Sequence, residues 1–565
     1  MSEKNIRVAL ADDAELGAGN VLMKLREHGA AADRPGITFD VDVDDHPAWV
    51  PLSFGALYER VAARAAWLHQ RGIKPRDPVA VYVTSAADCL LTFLALNWVG
   101  AIPALMNGSM PGETAVEYIR RLRAAAVLTD AAHSGLLGGR SLAGDREPAG
   151  PFVADVAEAG TGNPVQAPAH YRYDADDPIA ITHSSGTTRM PAAVVHSHGS
   201  LFAATRKLRL SGPRAHGAER ILSALPAAHT AGILTLHQAL CRGSELLFLS
   251  AQGGPFARSG TVVLDAIERW HPTAVYGFAV TWAELARFDL ATRDLSSVSV
   301  WFNTGDCAHE AHVRRLVAAG SHVTYTREGL VRGPGSRFID GIGSTEMGYS
   351  GFRISHHPGS SRYGRCVGKP HIFADVVLFD LGSGEEVPVG QVGHVGLKSP
   401  TLALGYWNDS AATYRYRHRG YYLTGDLMYR DEEGYYYHVD RAVDSVDLGG
   451  GNWLYTAMTE ERILLSCPDV RDCTVVAGAA EGAAETGPES PAEGRVVTDV
   501  LLLLAAGADP GADRTEAVSE ALGGPAAATL RRIVAVPDDE IVVGPTGKVR
   551  KFLMRQRHLA GAGAV

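Results

Sequence analysis

A short loop rich in hydroxyl side chains and glycine is the first feature of the sequence that indicates chemistry. Residues 183–188 read HSSGTT, so that small hydroxyl residues flank Gly186. A glycine lets successive backbone N–H groups turn toward an anion, and four hydroxyl groups add further donors, on Ser184, Ser185, Thr187 and Thr188. The loop therefore predicts a phosphate site. It is not a Walker loop, because no G-K-[ST] sequence follows.

Three later stretches offer the charges that phosphate chemistry needs. GSTE, at 343–346, puts a hydroxyl group beside a carboxylate on a tight turn, and Asp426 offers a carboxylate that can accept from both hydroxyls of a ribose. Lys548, in GPTGKVRK, lies on a glycine-containing turn. Taken singly, each feature has an ordinary structural explanation: Asp426 as a turn residue, Glu346 as an acid at the start of a helix, and Lys548 as a solvated lysine. A Ser/Thr/Gly cluster is, by itself, typical of an ordinary loop. Their order along the chain favours a nucleotide site.

The elements around these stretches alternate between helix and strand. One predicted helix ends at Gly72 and carries its apolar face at Leu57, Val61, Ala65 and Leu68. The branched run VAVYV follows as a strand. Such alternation predicts an α/β fold, with a large N-terminal domain of mixed, mostly parallel sheets covered by helices. From about residue 364, short strands and turns predict a barrel-like subdomain, and a small α+β C-terminal unit follows from Asp440.

Composition excludes several classes of protein. The 565-residue chain has a formal net charge of −10, and a duplex-binding surface needs clustered Lys and Arg, so we expect no nucleic-acid partner. Six widely spread cysteines without a C-x-x-C pair are typical of buried thiols in a reducing cytosol. The first residues do not form a signal peptide, and Asn97 and Pro103 interrupt the apolar run 90–107. We expect a cytoplasmic protein with no membrane span.

In these stretches the sequence resembles the adenylate-forming enzymes, a superfamily of acyl-CoA synthetases, peptide-synthetase adenylation domains and luciferases. The matching motifs are the phosphate loop at 184–191, L-P-x-x-H-x-x-G at 225–232, G-x-T-E at 343–346, Y-x-T-G-D at 421–426 with one extra residue, the hinge motif at 440–447 and T-G-K at 546–548. The likeness covers the chain from about residue 45. Five or more motifs in the family's order make a chance match remote.

The resemblance implies a large N-terminal domain and a C-terminal lid that rotates between two half-reactions, here residues 1–439 and 440–565. It implies ATP and Mg²⁺ as cofactors, a small-molecule acid as substrate, and CoA or a free carrier protein as acceptor. The first half-reaction joins a carboxylate to the α-phosphate of ATP and expels pyrophosphate. Because carboxylate and triphosphate repel each other, the catalyst must supply positive charge where they approach.

The resemblance also implies a role for each matched residue. Lys548 bridges the carboxylate and the α-phosphate, Thr345 touches the α-phosphate, and Glu346 holds Mg²⁺. His229 stands between the substrate pocket and the acceptor tunnel. The remaining implied contacts are to ATP: the ribose at Asp426 and Arg441, the adenine at Gly305, Asp306, Gly341 and Ile342, and the phosphates at Ser184, Ser185, Gly186, Thr187, Thr188, Arg189, Gly343 and Ser344.

The sequence departs from the family pattern in both the phosphate loop and the hinge. Ala192 and Arg189 stand where the loop of the family carries Lys and Gly. Val443 and Asp447 replace an Asp and a Lys of the hinge motif, and Ile342 stands where an aromatic residue often stacks on adenine. The missing lysine contacts the β- and γ-phosphates, so its loss is expected to weaken ATP binding more than chemistry. Hinge residues absorb backbone rotation, so the movement of the lid is expected to change.

Three functions compete at this stage. The first in rank is an acid ligase that passes its acyl group to CoA. The second keeps the adenylation but activates nitrite for an aryl amine, as diazotases do, or passes an acyl group to an amine. The third is a non-catalytic nucleotide-binding relative, which the retention of Lys548 argues against. No acidic residue stands out for binding an ammonium group, and this argues against α-amino acids as substrates.

Arg189→Ala tests whether this residue replaces the missing lysine of the phosphate loop. Loss of one charge-assisted contact is worth about 1.5–3 kcal/mol, so we expect the apparent KM for ATP to rise in ATP–pyrophosphate exchange. An unchanged KM would show that Arg189 does not reach the phosphates.

Overall fold

The computed structural model describes residues 3–138, 140–143, 150–184, 190–210, 219–250, 260–326, 329–479, 496–544 and 547–559. Five residues of the predicted phosphate site, Ser185, Gly186, Thr187, Thr188 and Arg189, lie outside these ranges, as does Thr546.

The strands, numbered in chain order, are β1 Pro35–Phe39, β2 Leu52–Ser53, β3 Pro78–Tyr82, β4 Ile102–Met106, β5 Ala126–Thr129, β6 Phe152–Asp155, β7 Pro178–His183, β8 Ala193–Ser197, β9 Arg220–Ser223, β10 Glu245–Phe248, β11 Ala274–Phe278, β12 Val300–Thr304, β13 Ser321–Thr326, β14 Gly329–Pro334, β15 Arg337–Asp340, β16 Phe352–His356, β17 Cys366–Pro370, β18 Asp375–Phe379, β19 Gly393–Lys398, β20 Gly405–Tyr406, β21 Arg417–His418, β22 Tyr421–Arg430, β23 Tyr436–Arg441, β24 Val446–Gly449, β25 Asn452–Leu454, β26 Val470–Ala479, β27 Val496–Leu504 and β28 Leu530–Ala535.

The α-helices are α1 Glu3–Asp12, α2 Val21–Glu27, α3 Phe54–Gln70, α4 Ala86–Val99, α5 Gly112–Leu122, α6 Ala131–Leu137, α7 Val156–Ala159, α8 Ser200–Ala204, α9 Thr230–Arg242, α10 Gly260–Trp270, α11 Ala279–Leu285, α12 Glu310–Ala318, α13 Ser410–Arg415, α14 Thr456–Ser466, α15 Thr515–Leu522, α16 Gly524–Ala527 and α17 Lys551–Leu559. A π-helix, Thr205–Leu210, continues from α8.

Two large sheets dominate the N-terminal part of the chain. In the first, β1, β10, β9, β11, β12 and β15 run parallel, and the antiparallel strands β16, β17, β23, β22, β19 and β18 extend the sheet. In the second, β7, β4, β3, β5 and β6 run parallel, and β8 pairs antiparallel with β7. The predicted α/β fold, with mostly parallel sheets followed by antiparallel strands, is confirmed.

Helix α4 shows how the core joins the two sheets. Almost every side chain of α4 is buried, because the helix packs in a core shared with α3, α9 and strands of both sheets. The Ser85 hydroxyl caps its start by accepting from the Ala87 and Asp88 N–H groups, and Gly100 ends it at φ +82°. Among the described residues, no helix is long and apolar enough to cross a membrane.

The parallel strands of the first sheet end at one edge. Phe278 and Thr304 are register partners at the ends of β11 and β12, and β15 ends beside them at Asp340. Loops at the carboxyl ends of parallel strands are the usual ligand sites of such sheets. The fold therefore brings the residues after β11, β12 and β15 to one place.

The C-terminal part forms a smaller α+β unit around the three-stranded sheet β26–β27–β28. Strand β23 runs across the predicted boundary between residues 439 and 440, and the carboxylate of Asp440 accepts from the backbone N–H and hydroxyl of Thr456 at the start of α14. Residue 440 thus holds the end of a strand in the large sheet against the first helix of the C-terminal unit. The exact boundary remains a prediction.

The fully buried carboxylate of Asp499 is expected to stabilise the C-terminal sheet. It accepts from Arg531 Nη2 at 2.7 Å and from Arg532 Nε at 2.8 Å. Asp499→Ala is expected to lower the local unfolding free energy by about 1.5–3 kcal/mol, because the charge-assisted bonds from both arginines are lost. Hydrogen exchange of the amides of β26–β28 measures the change, with the exposed Glu520→Ala as control. Equal exchange in the two variants would show that the ion pairs contribute nothing.

Candidate active site

A cavity of about 530 Å³ opens at the carboxyl ends of β11 and β12 and is closed on another side by the C-terminal unit. Ten of the predicted site residues line it: Ser184, His229, Gly305, Asp306, Gly343, Ser344, Thr345, Glu346, Arg441 and Lys548. Asp426, Gly341 and Ile342 do not belong to its wall. The structure thus brings together residues that are separated by more than 300 positions in the sequence.

Lys548 reaches this cavity from the C-terminal unit. Its carbonyl accepts from the Gly544 N–H at 2.7 Å, and Gly547 takes the left-handed φ of +78° that closes the turn. The ammonium group donates to the Gly305 carbonyl at 3.3 Å and lies 3.7 Å from Asp306 Oδ2. The turn therefore holds one positive charge directly against the residues that follow β12.

Asp306 stays ionised in spite of its surroundings. Burial alone would raise the pKa of this carboxyl, but the neighbouring Lys548, His438, Arg365 and Arg441 lower it well below its usual value. Arg365 Nη2 lies 3.9 Å from Asp306 Oδ1. Asp306 thus acts as the counter-ion of Lys548 in this structure.

Asp426 and Arg441 face each other as register partners on β22 and β23. Arg441 Nε lies 3.2 Å from Asp426 Oδ1, and His438 Nε2 lies 3.6 Å from the same oxygen. Burial would raise the pKa of Asp426, but Arg441 and His438 lower it. Gly425, at φ +80°, leaves room for the guanidinium, which a Cβ would approach to 3.2 Å. The pair presents Arg441 to the cavity with Asp426 behind it.

Thr345 and Glu346 follow β15 on a turn beside the second sheet. Tyr406, on a strand that pairs with β8, donates its hydroxyl to Glu346 Oε1 at 3.0 Å. On the other side, Ser184 directly follows β7, and its hydroxyl oxygen accepts from the Ala192 N–H at 3.2 Å. A carboxylate that lines a cavity and is held by a neutral phenol fits a Mg²⁺ ion that also takes oxygens from phosphates.

Ile342 lies in the core and not against the cavity. It is 3% exposed and packs among Cys307, Phe352 and Val367, while its backbone bridges to Gly305. Its position behind the wall explains why an aliphatic side chain is accommodated there.

His229 begins α9 and caps it. Its Nδ1 accepts from the Ala231 N–H at 3.1 Å, so the ring proton is on Nε2, and its edge meets the ring of Phe278 at a centroid distance of 5.1 Å. Burial, with a smaller contribution from the nearby His183 and Lys548, lowers the pKa of His229 to about 3. The ring is therefore a neutral hydrogen-bond donor in the wall of the cavity.

Side-chain alternation divides the residues at the ends of β11 and β12 between the cavity and the core. Phe278, Phe302 and Thr304 line the cavity. Trp301 is fully buried and donates to the Leu316 carbonyl, and Asn303 donates to Asp340 Oδ1 at 2.6 Å on the side away from the cavity. Burial raises the pKa of Asp340 to about 6.

Sequence reasoning missed a polar group of the cavity that comes from distant elements. Gln238 and Tyr276 line the wall, and both bind Arg209 of the π-helix. Strand alternation places Tyr276 on the same face as Phe278 and would have found it. No motif marks Gln238 or Arg209. Sequence reasoning also missed Tyr406, which contacts Glu346, and Arg365, which lies near Asp306.

The two histidines of HEAH connect the large part of the chain to the C-terminal unit. His309 Nδ1 lies 2.6 Å from Glu461 Oε2, and the His312 ring lies 2.9 Å from the Arg471 carbonyl. Both histidines thus contact residues of the C-terminal unit. Within the described ranges, no group of three or more His, Cys, Asp or Glu residues is arranged to hold a metal.

All six cysteines are buried and unpaired, at Cys89, Cys241, Cys307, Cys366, Cys467 and Cys473. Cys307 and Cys473 lie in the wall of the cavity. Burial raises the pKa of both of these thiols well above the usual value, and the carboxylates of Asp340 and Glu460 add to the effect. Both groups are therefore protonated thiols.

Comparison with known proteins identifies relatives of this chain. A family model described as "AMP-binding enzyme" matches residues 28–407. The chain is 41% identical to a 3-aminoavenalumate diazotase of a Streptomyces species over 98% of both chains. It is 28% identical to a feruloyl-CoA synthase of an Amycolatopsis species, over 75% of this chain and 80% of the relative. It is 25% identical to a 3-amino-2-hydroxy-4-methoxybenzoate diazotase of Streptomyces cremeus, over 76% and 79%.

The fold agrees with solved structures. An anthranilate CoA ligase in complex with anthranoyl-AMP superposes with a TM-score of 0.80 at 20% identity, covering 98% of this chain and 99% of that one. A benzoate CoA ligase from Burkholderia xenovorans superposes with a TM-score of 0.75 at 19% identity, over 96% and 100%.

The neutral state of His229 is open to test by NMR. Its pKa of about 3 lies below the value of 6.5 for the unfolded chain, so protonation favours unfolding. The contribution of His229 to stability is therefore complete above about pH 6.5 and is lost as the pH falls toward 3. We expect the His229 Hε1 resonance, assigned with His229→Asn, to keep its neutral-ring shift from pH 8 to pH 5. A titration midpoint of this resonance near pH 6.5 would show that the His229 ring is not held neutral by burial.

Proposed function

The chain belongs to the AMP-binding enzymes, an adenylate-forming family, and we propose that it activates nitrite with ATP and transfers the activated nitrogen to an aryl amine. The observation that carries this proposal is the 41% identity to a diazotase along 98% of both chains. The CoA-forming relative, by contrast, matches 75% of this chain at 28% identity. These relatives reverse the order of preference that the sequence motifs suggest.

The proposed reaction balances without an oxidant or a reductant. An oxygen of nitrite attacks the α-phosphorus of ATP; the new P–O bond forms as the bond to pyrophosphate breaks. The lone pair of the aryl amine then attacks the nitrogen of the adenylated nitrite, forming the N–N bond and releasing AMP and a proton. The N-nitroso amine takes up a proton and loses water, which leaves the aryl diazonium group.

Lys548 is the residue that we propose to serve the first step. Nitrite and the α-phosphate are both anions, so a preorganised cation lowers the barrier where they meet. The ammonium group already lies in the cavity, where the Asp306 carboxylate and the Gly305 carbonyl hold it. A phosphate oxygen is a stronger partner than a backbone carbonyl. We propose that Lys548 and Thr345 contact the α-phosphate when ATP is bound.

The remaining predicted residues are proposed to bind ATP. Asp426 and Arg441 take the ribose, and the backbone at Gly305, Asp306, Gly341 and Ile342 encloses the adenine. Ser184, Gly343 and Ser344 contact the phosphates, together with the loop residues 185–189. Glu346 would hold Mg²⁺, which supplies positive charge to the phosphates when it is bound.

The substrate class follows from the two diazotase relatives, which are named for 3-aminoavenalumate and 3-amino-2-hydroxy-4-methoxybenzoate, both amino-substituted carboxylates. We propose an amino-aryl acid as the acceptor of the nitrogen. Phe278 and Phe302 provide aromatic walls for its ring.

An acid–CoA ligase is the second candidate, favoured by the likeness to feruloyl-CoA synthase. In this case the lid has to rotate for the second half-reaction. The hinge segment is bound in place here, because Arg555 Nη2 donates to the Val443 carbonyl at 3.1 Å and lies 3.2 Å from Asp444 Oδ1. The replaced hinge residues Val443 and Asp447 do not favour this candidate.

ATP–pyrophosphate exchange distinguishes the two candidates. We expect exchange that depends on nitrite, and a diazo product when an amino-aryl acid is added without CoA. Lys548→Met is expected to lower the nitrite-dependent exchange by about 10²–10³-fold, the usual effect of removing a preorganised transition-state donor. The exposed Lys74→Met is the control. Exchange driven by aryl acids in the absence of nitrite, followed by a CoA thioester, would reject the diazotase in favour of the ligase.

A further inference from the structure

A positive charge without a described counter-ion lies beside the inner wall of the cavity. Arg209, on the π-helix Thr205–Leu210, donates from Nε to Gln238 Oε1 at 3.1 Å and from Nη2 to the Tyr276 hydroxyl at 3.0 Å. Burial raises the pKa of Tyr276 to about 12, so the phenol is neutral. No ion pair of Arg209 occurs among the described residues. The carboxylate of Glu219 influences the pKa of Arg209, but it forms its ion pair with Arg242, whose Nε lies 3.1 Å from Glu219 Oε2.

Arg209 lies at the opposite end of the cavity from Lys548. His229, whose pKa feels the charge of Lys548, is at the start of α9. Gln238 is nine residues further along the same helix, about 13 Å at 1.5 Å per residue. Tyr276 precedes Phe278 by two residues and so lies roughly 7 Å deeper along β11. Both side chains line the cavity, so the space between Lys548 and Arg209 is long enough for an extended aryl substrate.

The two candidate reactions require opposite orientations of an amino-aryl acid. In acid activation the carboxylate has to meet the α-phosphate beside Lys548, and the ring points inward. In nitrite activation the carboxylate does not react, and the amine has to reach the adenylated nitrite. An acceptor with its amine and carboxylate at opposite ends then places the carboxylate at the inner end.

We propose that Arg209, positioned by Gln238 and Tyr276, binds the carboxylate of the amino-aryl acid and so directs its amine toward the activated nitrite. This inference rests on the proposed function and adds the orientation of the substrate and the residue that sets it.

The chemistry of the inner end suits a carboxylate better than a neutral group. A half-buried guanidinium with only neutral partners has lost part of its hydration without gaining a counter-ion, and an anion removes that cost. Its planar fork of N–H donors matches the two oxygens of a carboxylate. Tyr276 stacks on Phe302, with ring centroids 4.6 Å apart, so the phenol that holds Arg209 is itself fixed against the aromatic wall.

The test compares a carboxylate with its uncharged amide in several variants. The acceptors are 4-aminocinnamate and 4-aminocinnamamide, which carry the amine and the tested group at opposite ends, and the readout is kcat/KM for the nitrite-dependent diazo product. We expect the wild type to prefer the carboxylate by about 10- to 100-fold, the range of one charge-assisted contact. Arg209→Gln is expected to remove most of this preference, through KM, and Arg209→Lys to retain part of it.

Two further variants separate charge recognition from simple damage to the fold. Gln238→Glu places a carboxylate beside an intact Arg209, so it is expected to neutralise the guanidinium and to remove the preference in the same way. Lys207→Gln removes an equal charge from an exposed position of the same π-helix and is expected to keep the preference. Thermal unfolding midpoints show which variants fold. If Arg209→Gln does not fold, the carboxylate preference of Gln238→Glu tests the role of Arg209.

The outcomes distinguish failure of this inference from failure of the proposed function. Absence of nitrite-dependent pyrophosphate exchange in the wild type would overturn the function and the orientation together. With that exchange present, an unchanged carboxylate preference in Arg209→Gln and Gln238→Glu would overturn only the role of Arg209. Pyrophosphate exchange driven by 4-aminocinnamate without nitrite would place the carboxylate beside Lys548 and overturn the orientation.

Discussion

The site depends on one contact, in which an ammonium group of the C-terminal unit meets the end of a strand in the large sheet. Lys548 meets Gly305 and Asp306 only because a tight turn presents it and because α12 binds the C-terminal unit through His309 and His312. The parallel strands bring the acceptor loops to one edge. Loss of alignment between the two units would leave the cavity without its central cation.

The electrostatics of the cavity differ from those of the whole chain. The protein carries a formal net charge of −10, whereas Lys548, Arg441 and Arg209 form or adjoin the cavity wall. The carboxylates of Asp426 and Asp306 hold two of these cations in place, and the cations lower the pKa values of both carboxylates. An acidic protein can therefore bind several anions in one space, because its positive charges are concentrated there and individually positioned.

The sequence predicted the parts of the site that depend on local backbone geometry. Gly547 and Gly425 take positive φ values next to Lys548 and Asp426, and such turns leave a signature of small residues. The alternation of helix and strand was equally readable, and α3 ends two residues before the predicted end at Gly72. Arg209 was not readable, because its neighbours come from α9 and β11, and a pairing across 29 or 67 positions leaves no local pattern. The roles of the site residues remain proposals.

The burial of the cysteines acquires a meaning from the chemistry proposed for the cavity. An activated nitrite is an electrophile that converts thiolates to S-nitrosothiols, and two of the six cysteines line the space in which it would form. Thiolates and not thiols are the reactive nucleophiles, and burial together with neighbouring carboxylates keeps Cys307 and Cys473 protonated. Under the proposed function, the packing that keeps these two thiols protonated would protect the protein from the activated nitrite and leave the aryl amine as the nucleophile that reacts.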